Sequence, residues 1–143
     1  MSTITAANSI LLISVGGIFP VPQQIQGYAS DDGFTFEAID PAEIVMGVDG
    51  HMSAGYVPVP KIQTINIMPD SPSLSMFETW LAAMDTAREI FFANGSVVLT
   101  AIGRKYTMTR GVLTSVQPIA GVKKTLQPMP YKITWESVTP SPI

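Results

Sequence analysis

Glycine and proline set the first limit on what this chain can fold into. The 12 Pro and 11 Gly residues are spread along it, and neither type suits the interior of a helix or of a central strand. Between them one stretch alone is long and periodic enough for a helix. The rest has to fold as short strands joined by turns.

The helix is expected over residues 73–93. Ser71-Pro72 offers a capping residue followed by a proline suited to the first helical position. Ser75 and Glu78 have the spacing of a capping box, which would move the start by a turn. Phe77, Trp80, Leu81, Met84, Ala87 and Phe91 recur at three- and four-residue steps and form one wide aromatic face. Asn94-Gly95 supplies a stop. Such a face has to pack on a sheet.

Strands are expected at 10–15, broken by Gly16-Gly17, and at 23–29. A third follows the Asp31-Asp32-Gly33 turn, and a fourth, 42–48, puts Ile44, Met46 and Val48 on one face. Residues 61–68 put Gln63, Ile65 and Ile67 on one side. Later strands fall at 96–102, at 105–116 with a bend at Gly111, and at 131–138, where Tyr131, Ile133 and Trp135 share a face. Asp49-Gly50-His51 reads as a turn and Gly103-Arg104 as a glycine-first hairpin turn. Residues 55–60 read as irregular, and the proline-rich end from 139 as frayed unless a neighbour holds it. These elements predict a single β-rich α+β domain. Its form is a β-barrel or sandwich with one flanking helix and a long extended hairpin over 29–50.

Charge decides what covers this fold. Asp, Glu, Lys and Arg make up 13% of the chain, where soluble domains carry about 25%. A domain of 143 residues leaves much of itself at the surface, so part of that surface must be apolar, which marks interfaces. The charges are also segregated. Residues 1–60 hold Asp31, Asp32, Glu37, Asp40, Glu43 and Asp49 with no Lys or Arg; from 90 onward Arg104, Lys105, Arg110, Lys123, Lys124 and Lys132 face one acid, Glu136. Separated signs of this kind can complement one another between copies of one chain. The six early acids are therefore candidates for contacts between subunits, with Arg104, Lys105, Arg110, Lys123 and Lys124 as the basic partner face.

Catalytic chemistry finds little footing. His51 is the one histidine and cysteine is absent, so thiolate and multi-His metal sites are excluded. His51 sits beside Asp49 and Gly50 in a turn, without an oriented partner for acid–base work. Asp31-Asp32-Gly33 lacks the ligand rhythm of a calcium hand, and Gly16-Gly17 is not followed by a phosphate-binding Lys and helix. No catalytic, cofactor or metal residue is assigned. The apolar run at 10–21 is too short and too broken to span a bilayer, so no membrane insertion is expected. A pI near 4.9 argues against specific nucleic-acid binding.

Residues 28–34, the turn at 46–50, the helix region 73–93 and the hairpin at Gly103-Arg104-Lys105 follow in an order that resembles small tail tube proteins of contractile-tailed phages. The tubes of type VI secretion and related injection machines belong to the same superfamily. The resemblance implies hexameric rings stacked into a hollow tube, with hairpins joined into an inner barrel around an acidic lumen. It would place 29–50 and 61–68 in that barrel, and the early acids at the lumen or at ring contacts. The N-terminal segment and residues 49–60 would reach adjacent subunits. Its implied partners are further copies of the chain, a sheath, a tape-measure protein, and baseplate and terminator proteins, with DNA passing through unbound. The implied location is the virion tail, assembled in the host cytoplasm. Two other readings stand beside it: a baseplate or tube-capping subunit, and a small ligand-binding β-barrel with Phe34, Phe36, Trp80 and Phe91 as its pocket.

Overall fold

A computed structural model describes residues 9–25 and 34–142. Seven strands form one antiparallel sheet and two more form a separate hairpin. In chain order the elements are β1 (Ser9–Val15), β2 (Phe19–Gln24), β3 (Phe34–Phe36), β4 (Ala42–Met46), β5 (Met52–Tyr56), β6 (Lys61–Ile67), α1 (Leu74–Ala87), β7 (Ala93–Leu99), β8 (Arg104–Val116) and β9 (Met129–Pro142). The large sheet runs β2-β1-β7-β8-β9-β6-β3. Its end strands, β2 and β3, do not pair with each other, so the expected barrel is not closed and the sandwich-like alternative fits.

Helix α1 leads from β6 to β7, which are separated in the sheet by β9 and β8. It therefore crosses the sheet and covers one face. Leu11, Ile13 and Val15 of β1, Ile65 and Ile67 of β6, and Tyr131, Ile133 and Trp135 of β9 point to that face, and all are buried. Met76, Phe77 and Trp80 come down on them from the helix. Phe77 stacks on Tyr131 with ring centroids 4.6 Å apart, a geometry favourable beyond the area it buries.

At the centre of the sheet the Trp135 indole lies against the backbones of Gly95 and Gly111. A Cβ at Gly111 would sit 2.5 Å from two of its ring carbons, so the ring leaves no room for a side chain. The indole Nε1 donates to Gln63 Oε1 at 3.0 Å. This explains why a polar residue shares the buried side with Ile65 and Ile67. The Gln63 amide nitrogen has no partner among the described residues, and such a group costs roughly 1–3 kcal/mol.

The helix is shorter than 73–93. It starts at Leu74, and Ser71 Oγ accepts from the Ser73 amide at 3.1 Å in the turn before it. The Ser75–Glu78 capping box is not formed: the Ser75 hydroxyl donates instead to the Pro72 carbonyl at 3.5 Å. Arg88, in the left-handed region with φ 54°, ends the helix and donates its amide to Met84. Asn94-Gly95 is no stop, because both lie inside β7 opposite Ser14 and Ile13. Phe91 contributes its carbonyl, which accepts from Trp80 Nε1 at 3.2 Å.

Other boundaries move as well. The second strand is β2 at Phe19–Gln24 rather than 23–29. The β7–β8 turn spans 100–103, and Arg104 already pairs with Leu99 as the first residue of β8. The bend in β8 falls at Arg110, whose φ is 49°, one residue before Gly111. The proline-rich end is paired rather than frayed: β9 stays on β8 out to Pro142, opposite Arg104. Prolines at alternate positions are tolerated there because β6 pairs with β9 only as far as Trp135, which leaves that side of β9 an unpaired edge.

Tyr131 yields a test of this packing. Burial, reinforced by the nearby Glu78 charge, raises its phenol above the ordinary 10.0. In the unfolded chain the phenol ionises near 10, so its contribution to stability is intact below that pH. It is lost as pH rises toward the higher folded value. Tyr131→Phe is expected to leave the neutral-pH melting temperature within a few degrees and to reduce the fall in stability above about pH 10, as read by thermal melts across alkaline pH.

Candidate assembly interface

The described chain contains a long segment with no core of its own. Every residue from 35 to 58 is exposed, and β4 and β5 pair only with each other. This arm leaves the sheet after β3 and returns at the start of β6. Its turn is specified locally. The Gly47 amide donates to His51 O at 2.7 Å, the Gly50 amide to Gly47 O at 3.0 Å, and the His51 amide to Asp49 Oδ1 at 3.1 Å. Gly50 has φ 87°, which glycine adopts without strain.

That turn fixes the register Ala42↔Tyr56, Ile44↔Ala54 and Met46↔Met52. Because side chains alternate along a strand, Ala42, Ile44, Met46, Met52, Ala54 and Tyr56 all fall on one face. The face is uncharged and apolar but for the Tyr56 hydroxyl, and its four large side chains are 59–78% exposed. Glu43, Val45, Ser53 and Gly55 form the other face. A two-stranded hairpin is at best marginally stable alone in water, and an apolar face on one is a surface made to be covered. The arm occupies 42–56 where the sequence pointed to 29–50. Residues 55 and 56, read as irregular, belong to β5.

The sequence-predicted charges do not converge on one site. Asp31 and Asp32 lie outside the described residues. Glu37 stands at the arm's root, 3.9 Å from Lys132 Nζ. Asp40, Glu43 and Asp49 are distributed along the arm, all exposed. Arg104 and Lys105 begin β8 beside the β7–β8 turn. Arg110 is engaged within its own chain: its Nε lies 2.8 Å from Glu136 Oε2, and its guanidinium sits 4.2 Å over the Phe92 ring. Lys123 and Lys124 are exposed in the loop before β9, next to Val122 and Leu126, which form a bridge.

Beside the arm's root an open apolar groove of about 390 Å³ is lined by Phe34, Phe36, Ile39, Val97, Leu99 and Tyr106. Phe34 and Phe36 thus face an open groove, while Trp80 is buried under the helix. The four aromatics of the ligand-pocket reading do not share a cavity. Among the described residues no three potential ligands cluster for a metal, and no helix is long and apolar enough to cross a membrane.

A family model described as tail fiber protein gp32 matches residues 2–139. The chain belongs to that family. It is a structural protein of the phage-tail kind and a component of such a particle. Among solved structures, a chain of the anti-feeding prophage tube terminating cap superposes with a TM-score of 0.61. The match covers 100% of this chain and 93% of that one, at 11% identity. A chain of the anti-feeding prophage baseplate gives 0.59, with 99% and 98% covered, at 13% identity. A chain of an extracellular contractile injection system, the PVC sheath–tube complex in its extended state, gives 0.57, with 93% and 88% covered, at 10% identity. At these identities the likeness is one of fold. No curated protein sequence matches the chain. The family description names a fiber where the sequence pattern pointed to a tube; the fold neighbours come from cap, baseplate and sheath–tube assemblies.

Proposed function

We propose that this gp32-family chain is a tube-forming subunit of a phage tail, assembling into stacked hexameric rings around a conduit for DNA ejection. The observation that carries this reading is the arm, whose uncharged, largely apolar face is left exposed among the described residues. Sheet edges add to it. Pro20 and Pro22 on β2 and Pro140 and Pro142 on β9 block further pairing at those edges. The short β3 edge and the arm are left as the places where strands of neighbouring copies can add. Closing such edges into a ring removes the risk of open-ended aggregation. In this reading the partners beyond other copies are the sheath, tape-measure, baseplate and terminator proteins, and DNA passes without specific binding.

The cap and baseplate neighbours favour one alternative, a subunit that stops at a single ring. Negative-stain electron microscopy of the purified protein separates the two. Stacked, hollow tubes are the expected result. Rings that do not stack would move the assignment to a cap or baseplate role, and unassembled particles at high concentration would remove both.

A further inference from the structure

The arm's partner can be read from the opposite end of the sheet. The arm joins β6 at Lys61, opposite Trp135, whereas the loop before β9 ends at Met129, opposite Ile67. The steps between those pairs, at about 3.3 Å each, separate the two attachments by roughly 20 Å. That loop, residues 117–128, also displays apolar side chains: Ile119, Val122 and Leu126 are 54–77% exposed. It is held in shape by the Gln127 amide donating to Gly121 O at 2.9 Å and by the Val122↔Leu126 bridge. Its only charges are Lys123 and Lys124, while the arm and its root, residues 37–60, carry Glu37, Asp40, Glu43 and Asp49 with no Lys or Arg.

We infer that the arm of one copy seats its apolar face on the 117–128 loop of a second copy, with the net negative charge of the arm complementing Lys123 and Lys124. Resting on the tube reading above, this names the surface that joins successive rings. The two surfaces match in character and oppose in charge, as a specific contact requires. They leave the sheet at opposite ends, so the contact is head-to-tail. A heterologous contact of this kind repeats along an axis instead of closing on a pair.

Charge exchange tests it. Asp40→Lys with Glu43→Lys, and separately Lys123→Glu with Lys124→Glu, are each expected to raise the concentration needed for tube growth about tenfold or more. All four changes in one chain should restore growth. A photo-crosslinking side chain at position 46 should label residues 117–128 of another copy. Tubes unaffected by the Lys123/Lys124 reversal, a combined variant that is not rescued, or crosslinks confined to the β7–β8 groove or to another arm would each overturn the contact. They would leave the tube reading standing. A wild-type chain that never assembles would overturn both.

Discussion

Replacing Ile44 and Met52 together by Asp is expected to abolish assembly and leave the subunit folded. Both side chains lie on the arm's apolar face, about 59% exposed in the isolated chain. Covering each would recover roughly 1–2 kcal/mol, and a carboxylate in its place would have to be desolvated at further cost. Association should weaken by about a hundredfold or more, the equivalent of roughly 3 kcal/mol. The melting temperature of the subunit should stay within a few degrees, because among the described residues β4 and β5 pair with each other alone and both side chains are exposed. Sedimentation and thermal melts of the same sample separate the two effects. A variant that still assembled normally would show that the arm's apolar face is not buried in the assembly.

The largest effect on folding is expected at the sheet's centre. Trp135→Ala removes the ring that fills the space above Gly95 and Gly111 and strands the Gln63 amide, and should cost about 3–5 kcal/mol. Gly111→Ala places a Cβ where the ring already sits, and should cost about 1–3 kcal/mol by overpacking. The two should not add. With the indole gone the clash at Gly111 is relieved, so the second change should cost far less in the Trp135→Ala background. Urea unfolding is best measured on the Ile44/Met52 variant, in which dissociation does not obscure a two-state transition. Additive costs would refute the direct packing of Trp135 on Gly111.

The sequence was most readable where a pattern had one physical cause. Ile65 and Ile67 on the side of Gln63, and Tyr131, Ile133 and Trp135 together, follow from strand alternation alone, and the structure buries both sets. The helix was legible in its apolar face but not in its ends. Asn94-Gly95 looks like a stop, yet pairing with β1 draws it into β7. Strand β5 was missed because Ser53, Ala54 and Gly55 have weak strand preference; it forms because the Gly47–His51 turn delivers it onto β4. Only that register shows the arm's six apolar residues as one face. The segregation of charge was visible from the start, but no sequence pattern could show that Arg110 is occupied by Glu136 and Phe92. Nor could it show that Lys123 and Lys124 stand at the far end of the sheet from the arm.

If the arm joins copies of this chain, the mass of the protein in solution reports it. Light scattering behind size-exclusion chromatography should give, for the wild-type protein, a mass well above the 15.4 kDa of one chain, rising with concentration. The Ile44/Met52 variant should elute as one chain throughout. A wild-type protein that remained at 15.4 kDa at the highest concentration reached would rule out self-association through the arm.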